Sequence, residues 1–245
     1  MMSALLDRKY RALDDFVARV RESEIGDNIA KLILHGSVLR GDAHEESDID
    51  VLVIATGDLR QVDETCGDIA FDVMLGHNEL VSPMVYCVDT LRHPISYFSY
   101  RAIKEGKEIY SMEEETIRHE ETIDLLNLAR IYLEMACSLE ASLANVRGVI
   151  DLAYNAAELC GKGLLILRSS DVPRTHSGLV QQFSKVFVVE EKLVTPKIGR
   201  ALRLGLELRN RARYDPHARL TESEATEITK LAEEMIGVLE KELYQ

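Results

Sequence analysis

The 245-residue chain has no Cys-x-x-Cys pair, no excess of basic residues and no long apolar run, and each absence removes a class of protein. Its four cysteines, Cys66, Cys87, Cys137 and Cys160, are widely spaced, which argues against a zinc site or disulfide framework and leaves buried thiols as the expectation. The 29 Lys and Arg residues against 42 Asp and Glu give a net charge of −13. Both halves share the deficit: residues 1–112 hold 12 basic and 20 acidic side chains, and the remainder 17 and 22. Nucleic-acid backbones are bound by cationic side chains, so no broad nucleic-acid surface is expected. No stretch reaches the ~18 uninterrupted apolar residues that a membrane span needs. Asp7, Arg8, Lys9 and Arg11 make the first residues unlike a signal peptide, so a cytoplasmic protein without a membrane partner is expected.

What is present suffices for one large or two ordinary domains, since 46% of the residues are hydrophobic. Apolar residues recur at helical spacing over 3–23. Strands are expected over 29–35, 48–55 and 68–75, helical turns over 78–82 and 96–104, and a short last strand within 105–110. From Glu113 onward the periodicity is helical, over 114–146, 148–168, 176–188, 196–213 and 222–243. The last of these opens on a capping box, Thr221-Glu222-Ser223-Glu224. The expected fold is α+β: a small β-sheet flanked by helices over 1–112, then an all-α up-and-down bundle over 113–245.

One stretch carries the chemistry. Leu34-His35-Gly36-Ser37-Val38-Leu39-Arg40-Gly41 reads as the end of a buried strand, a tight turn and a short Arg-bearing helix; Ser47-Asp48-Ile49-Asp50-Val51 follows as a second strand. Asp48 and Asp50 are two residues apart and so share one face of a strand. Two carboxylates on one face repel unless a cation lies between them, and hard oxygen ligands suit Mg²⁺. A Gly-Ser turn entering a helix offers free N–H groups and a hydroxyl to phosphate. Phosphate with a divalent cation points to a nucleotide. Asp72 interrupts the apolar run 69–74; it either faces water at a sheet edge or is paired or metal-bound. His35 reads as a core histidine, and His44, Glu45 and Glu46 as solvated.

The Gly-Ser-x-x-Arg-Gly…Ser-Asp-Ile-Asp pattern resembles the minimal nucleotidyltransferase branch of the DNA polymerase β superfamily. That resemblance implies a mixed sheet and Mg²⁺-dependent transfer of a nucleoside monophosphate, AMP from ATP or the equivalent from another nucleoside triphosphate, to an acceptor hydroxyl. It implies two Mg²⁺ ions, with Asp48 and Asp50 as shared ligands and Asp72 completing the second site and taking the hydroxyl proton. Gly36 and Ser37 would bind the β- and γ-phosphates, and Arg40 is either a phosphate contact or a helix-surface residue. The acceptor stays open among a protein hydroxyl, an RNA end and a small molecule, the last as in the antibiotic (aminoglycoside-type) nucleotidyltransferases.

The second half resembles the HEPN family of helical bundles, through Ala156-Ala157-Glu158 with Lys162, the 173–176 segment, and Leu208-Arg209-Asn210-Arg211-Ala212-Arg213-Tyr214-Asp215. This implies acceptor binding and a homodimer, or a toxin–antitoxin module in which the bundle acts on RNA. HEPN ribonucleases use an Arg, four to six residues, then a His on one helix. Arg211 and His217 meet the spacing, whereas Arg209-Asn210, more like the motif's start, stands too far away. Asp215-Pro216 is expected to end the helix near Tyr214 and leave His217 off it. Antitoxins of this kind adenylylate a tyrosine near the partner's Arg–His motif, which marks Tyr214 as a modification candidate.

Overall fold

The structure, a computed structural model, describes residues 2–139, 145–169 and 171–245. The chain divides into two compact units, Met1–Glu120 and Glu121–Gln245. Among the described residues no helix is long and apolar enough to cross a membrane.

The first unit is a four-stranded mixed sheet between two layers of helix. Its strands are β1 (Ile29–His35), β2 (Ile49–Ala55), β3 (Val81–Cys87) and β4 (Lys107–Ser111), in the order β3-β2-β1-β4. β1 is antiparallel to β2 and β4, while β2 and β3 run parallel. The two central strands read as near-continuous apolar runs because both of their faces are covered. On one face Leu32, Leu34, Val51, Val53 and Val81 pack against helices α1 (Met2–Glu22) and α3 (Leu59–His77). On the other, Ile33, Leu52, Ile54, Met84 and Tyr86 pack with Ala102 of α5 (Tyr97–Glu105). Short helices α2 (Gly36–Arg40) and α4 (Asp89–Arg92) complete the unit.

Two expected elements are corrected. Residues 68–75 are helical, inside α3, and 81–87 are a strand rather than part of a helical turn over 78–82. The reason lies in the topology: parallel neighbours β2 and β3 need a crossover of about a dozen residues or more, and α3 supplies it. The buried positions Val62, Cys66, Ala70 and Val73 fall at helical spacing, and Asp58 caps the start by accepting from the Arg60 and Gln61 N–H groups. Asn78, in the left-handed region at φ 52°, ends the helix. Pro83 sits in β3, an edge strand, where a missing N–H is tolerated.

The second unit is a helical bundle. α6 (Glu114–Leu139) leads into it; the expected helix over 114–146 also runs across 140–144, which lie outside the described residues. α7 (Val146–Arg168) is its most buried helix and packs against α8 (His176–Phe183), α9 (Pro196–Tyr214) and α10 (Glu222–Leu243) around Tyr154, Leu164, Phe183, Leu202 and Met235. A π-helical turn, Ser184–Glu190, extends α8. The capping box at α10 forms as expected, with Glu224 N–H donating to the Thr221 hydroxyl and Thr221 N–H to the Glu224 carboxylate. None of the four cysteines is in a disulfide; Cys66 and Cys160 are buried, which pushes both thiols up to about 12, whereas Cys87 and Cys137 are exposed, against expectation.

Candidate active site

The end of β1 and the start of β2 build the site. Antiparallel pairing places Asp50 opposite His35, and the chain then turns through Gly36 into α2. Gly36 has φ +78°, and a Cβ on it would lie 2.0 Å from the Asp50 Oδ2, so only glycine lets the turn pass under this carboxylate. Gly36→Ala is expected to lower turnover about a hundredfold while the sheet still forms, because misplacing a positioned group by about 1 Å costs that much; kcat and far-ultraviolet circular dichroism check the two halves of the statement.

A cavity of about 410 Å³ opens beside this turn, lined by His35, Gly36, Arg40, Asp50, Tyr97, Phe98 and Arg101 among others. That is the scale of small-molecule sites, with aromatic walls and a few convergent polar groups. Burial, together with the charge of Asp48, raises the Asp50 carboxyl above its ordinary value against the pull of His35 and Arg40. His35 is buried and held below its ordinary pKa chiefly by that burial; its ring meets Phe98 edge-on at 5.3 Å, and its Nε2 has no hydrogen-bond partner among the described residues. Arg40 is exposed and paired with Asp42 at 3.3 Å, whereas Arg101 is occupied by both carboxylate oxygens of Glu105 at 3.0 Å.

Asp48 is exposed at the end of the loop that enters β2. The loop is fastened from α1. Lys9, with 0% exposure, donates to the Ser47 carbonyl at 2.6 Å and to Glu79 at 2.5 Å, and Arg8 binds Glu79 and, at 2.6 Å, Glu45. Burial alone would raise the Glu79 carboxyl, but hydrogen bonds from Lys9 and Arg8 outweigh it and hold it below the ordinary range. Sequence reasoning missed this cluster. The available signal was a lysine on the buried face of α1, four and seven residues before Leu13 and Phe16.

Asp72 is not with Asp48 and Asp50. It is on α3, its side chain is 64% exposed, and its ion-pair partner is Arg19 at 3.9 Å. α3 packs on the Val51 and Val53 side of the sheet, while Asp50 follows the alternation of Leu52 and Ile54 on the other side. The strand that carried the third-carboxylate expectation is a helix, and Asp72 lies across the sheet from the carboxylate pair.

The sequence matches the family described as "Polymerase beta, Nucleotidyltransferase" over residues 21–115, the span that holds this sheet and cavity. A protein of Methanocaldococcus jannaschii, provisionally named as a protein adenylyltransferase, is 30% identical over 101 residues, which cover 41% of this chain and 96% of that protein. The chain belongs to the polymerase β-type nucleotidyltransferase family. Residues 122–242 match the HEPN domain, so this nucleotidyltransferase carries a HEPN bundle after its catalytic unit.

In the HEPN unit the motif region is a lattice of ion pairs. Arg209 is buried, 3.5 Å from Asp151, with its guanidinium 6.0 Å from the Tyr214 ring; Arg213 binds the same Asp151 at 2.5 and 2.8 Å. Asn210 accepts from Arg209 at 3.2 Å. α9 ends at Tyr214, as the Asp-Pro pair requires, and His217 lies in the turn beyond, its N–H capped by Asp215. Arg211 is turned to the Arg219 carbonyl at 2.9 Å and to Glu224. Tyr214 is exposed.

Proposed function

We propose that this nucleotidyltransferase moves AMP from ATP to a hydroxyl of another protein, using the cavity between α2 and α5. The observation that carries the reading is the contact of Asp50 with the Gly36 turn at the cavity wall, which sets a carboxylate beside the first residues of α2, where helices offer N–H groups to phosphate. Asp48 and Asp50 fit a divalent cation, because hard oxygen donors suit Mg²⁺ and Mg²⁺ is commonly held by one or two carboxylates together with substrate phosphates. A bound cation would neutralise triphosphate charge there. Gly36 and Ser37 would receive the β- and γ-phosphates, Arg40 a non-bridging oxygen, and Tyr97 and Phe98 supply a flat apolar wall for a base.

In the transfer the acceptor oxygen bonds to the α-phosphorus and the bond from that phosphorus to the α,β-bridging oxygen breaks. Pyrophosphate leaves with the electron pair, and the hydroxyl proton passes to solvent. Positioning does most of this work, because the phosphoryl chemistry asks little covalent participation of the protein. A protein acceptor is supported by the name of the methanogen relative. The HEPN unit would bind that acceptor or a second copy of the chain.

The test uses ATP radiolabelled at the α-phosphate, Mg²⁺ and cell lysate. Label should enter protein, survive ribonuclease and stay absent with Asp48→Asn. Label confined to RNA, or to an added aminoglycoside, would replace the protein acceptor with the one labelled.

A further inference from the structure

The face of the sheet that carries Asp50 has one neighbouring position on the outer strand, and Ser82 fills it. β2 and β3 run parallel with Asp50 paired to Ser82. Along β3, Val81 and Val85 enter the core with α1 and α3, and Met84 and Tyr86 the core with α5, so Ser82 shares the Asp50 face. β3, Val-Ser-Pro-Met-Val-Tyr-Cys, has no acidic residue. The carboxylates nearby are engaged elsewhere: Glu105 by Arg101, Glu79 by Lys9 and Arg8, and Asp42 by Arg40. Among the described residues no three His, Cys, Asp or Glu side chains stand close enough to hold a metal together.

We infer that this site takes a single divalent cation, between Asp48, Asp50 and the triphosphate, and that Ser82 stands where a second cation would require a carboxylate. The inference rests on the nucleotidyl-transfer reading above and departs from the two-ion expectation. Two cations about 3.5–4 Å apart need ligand charge between and beside them. Asp48 and Asp50 supply two negative charges, and a neutral serine hydroxyl adds a lone pair but no charge. A serine at this position also supplies no base. With Asp50 assigned to the cation and Glu105 held by Arg101, no other carboxylate among the described residues lines the cavity to take the acceptor's proton, which favours acceptors that bring their own base or an acidic hydroxyl such as a phenol.

The count of ions decides it. Full-length protein is saturated with a non-hydrolysable ATP analogue and Mn²⁺, and bound Mn²⁺ is measured by equilibrium dialysis and electron paramagnetic resonance. One Mn²⁺ per bound nucleotide, with an uncoupled spectrum, is expected; Ser82→Asp should raise the count to two and give a spin-coupled pair. Two coupled ions in the unsubstituted protein overturn the inference, and that measurement stands whether or not the variant folds. A folded Ser82→Asp that stays at one ion overturns the assignment of position 82. Nucleotide binding that is indifferent to Mn²⁺ and to Asp50→Asn would remove the transfer reading itself.

Discussion

Asp48→Asn and Asp50→Asn each lose nucleotidyl transfer by about a thousandfold, and neither unfolds the chain. Cation-assisted charge neutralisation is worth several kcal/mol, and about 1.4 kcal/mol is a factor of ten in rate. The two variants differ in how the ligand-free protein responds. Asp48 is exposed, so losing its charge leaves the melting temperature close to that of the unsubstituted protein. Asp50 is half-buried, and burial together with Asp48 raises its carboxyl pKa. A carboxyl with a folded pKa above its unfolded value opposes folding at pH above both values, because the charged form is less welcome in the folded state. Asp50→Asn removes that charge and is expected to raise the melting temperature while abolishing the reaction. Saturation with Mg²⁺ and ATP adds a second readout: at a ligand concentration of about 100 Kd the unsubstituted protein gains about 2.7 kcal/mol, a gain both variants lose. Transfer retained in both would sink the assignment of this site.

The parts of the site that could be read in the sequence are those built within one short segment. From Leu34 to Val53 the strand, the Gly-Ser turn, the helical turn and the second strand follow one another, and antiparallel pairing of adjacent strands closes His35 onto Asp50. The capping box at Thr221 and the helix stop before Pro216 are local in the same way. Asp72 shows the limit. Over 68–75 a short apolar run fits a buried strand or one face of a helix equally well, and only the parallel pairing of β2 with β3 makes it a crossover helix. Once that run is helical, the next strand moves to 81–87 and Ser82, rather than Asp72, comes to lie beside Asp50. The Lys9 contacts with Ser47 and Glu79 span 38 and 70 residues, distances at which periodicity carries no information.

That long-range cluster yields the largest expected effect on stability. Lys9→Met is expected to destabilise the catalytic unit by about 3 kcal/mol, since removing one partner of a buried ion pair leaves the other charge uncompensated. Arg8 still reaches Glu79, which keeps the loss at the lower end of the range, and the Ser47 carbonyl loses its charged donor. The catalytic unit should melt about 12 °C lower, at roughly 4 °C per kcal/mol for a unit of this size. The companion double variant Lys9→Met with Glu79→Leu should recover much of that loss, because an apolar pair of similar volume replaces two buried charges at little net cost. Acidity separates the pair from simple packing. The Glu79 carboxyl lies below its ordinary value in the folded protein, so its contribution is complete above the unfolded carboxylate pKa and is lost as pH falls through the folded one. The difference in stability between unsubstituted protein and Lys9→Met should therefore be largest at neutral pH and shrink on acidification. Transfer should suffer too, because Ser47 precedes Asp48 and Lys9 fastens the loop that presents it. If Lys9→Met melts with the unsubstituted protein, the cluster does not anchor that loop, and Asp48 is positioned by the β2 backbone alone.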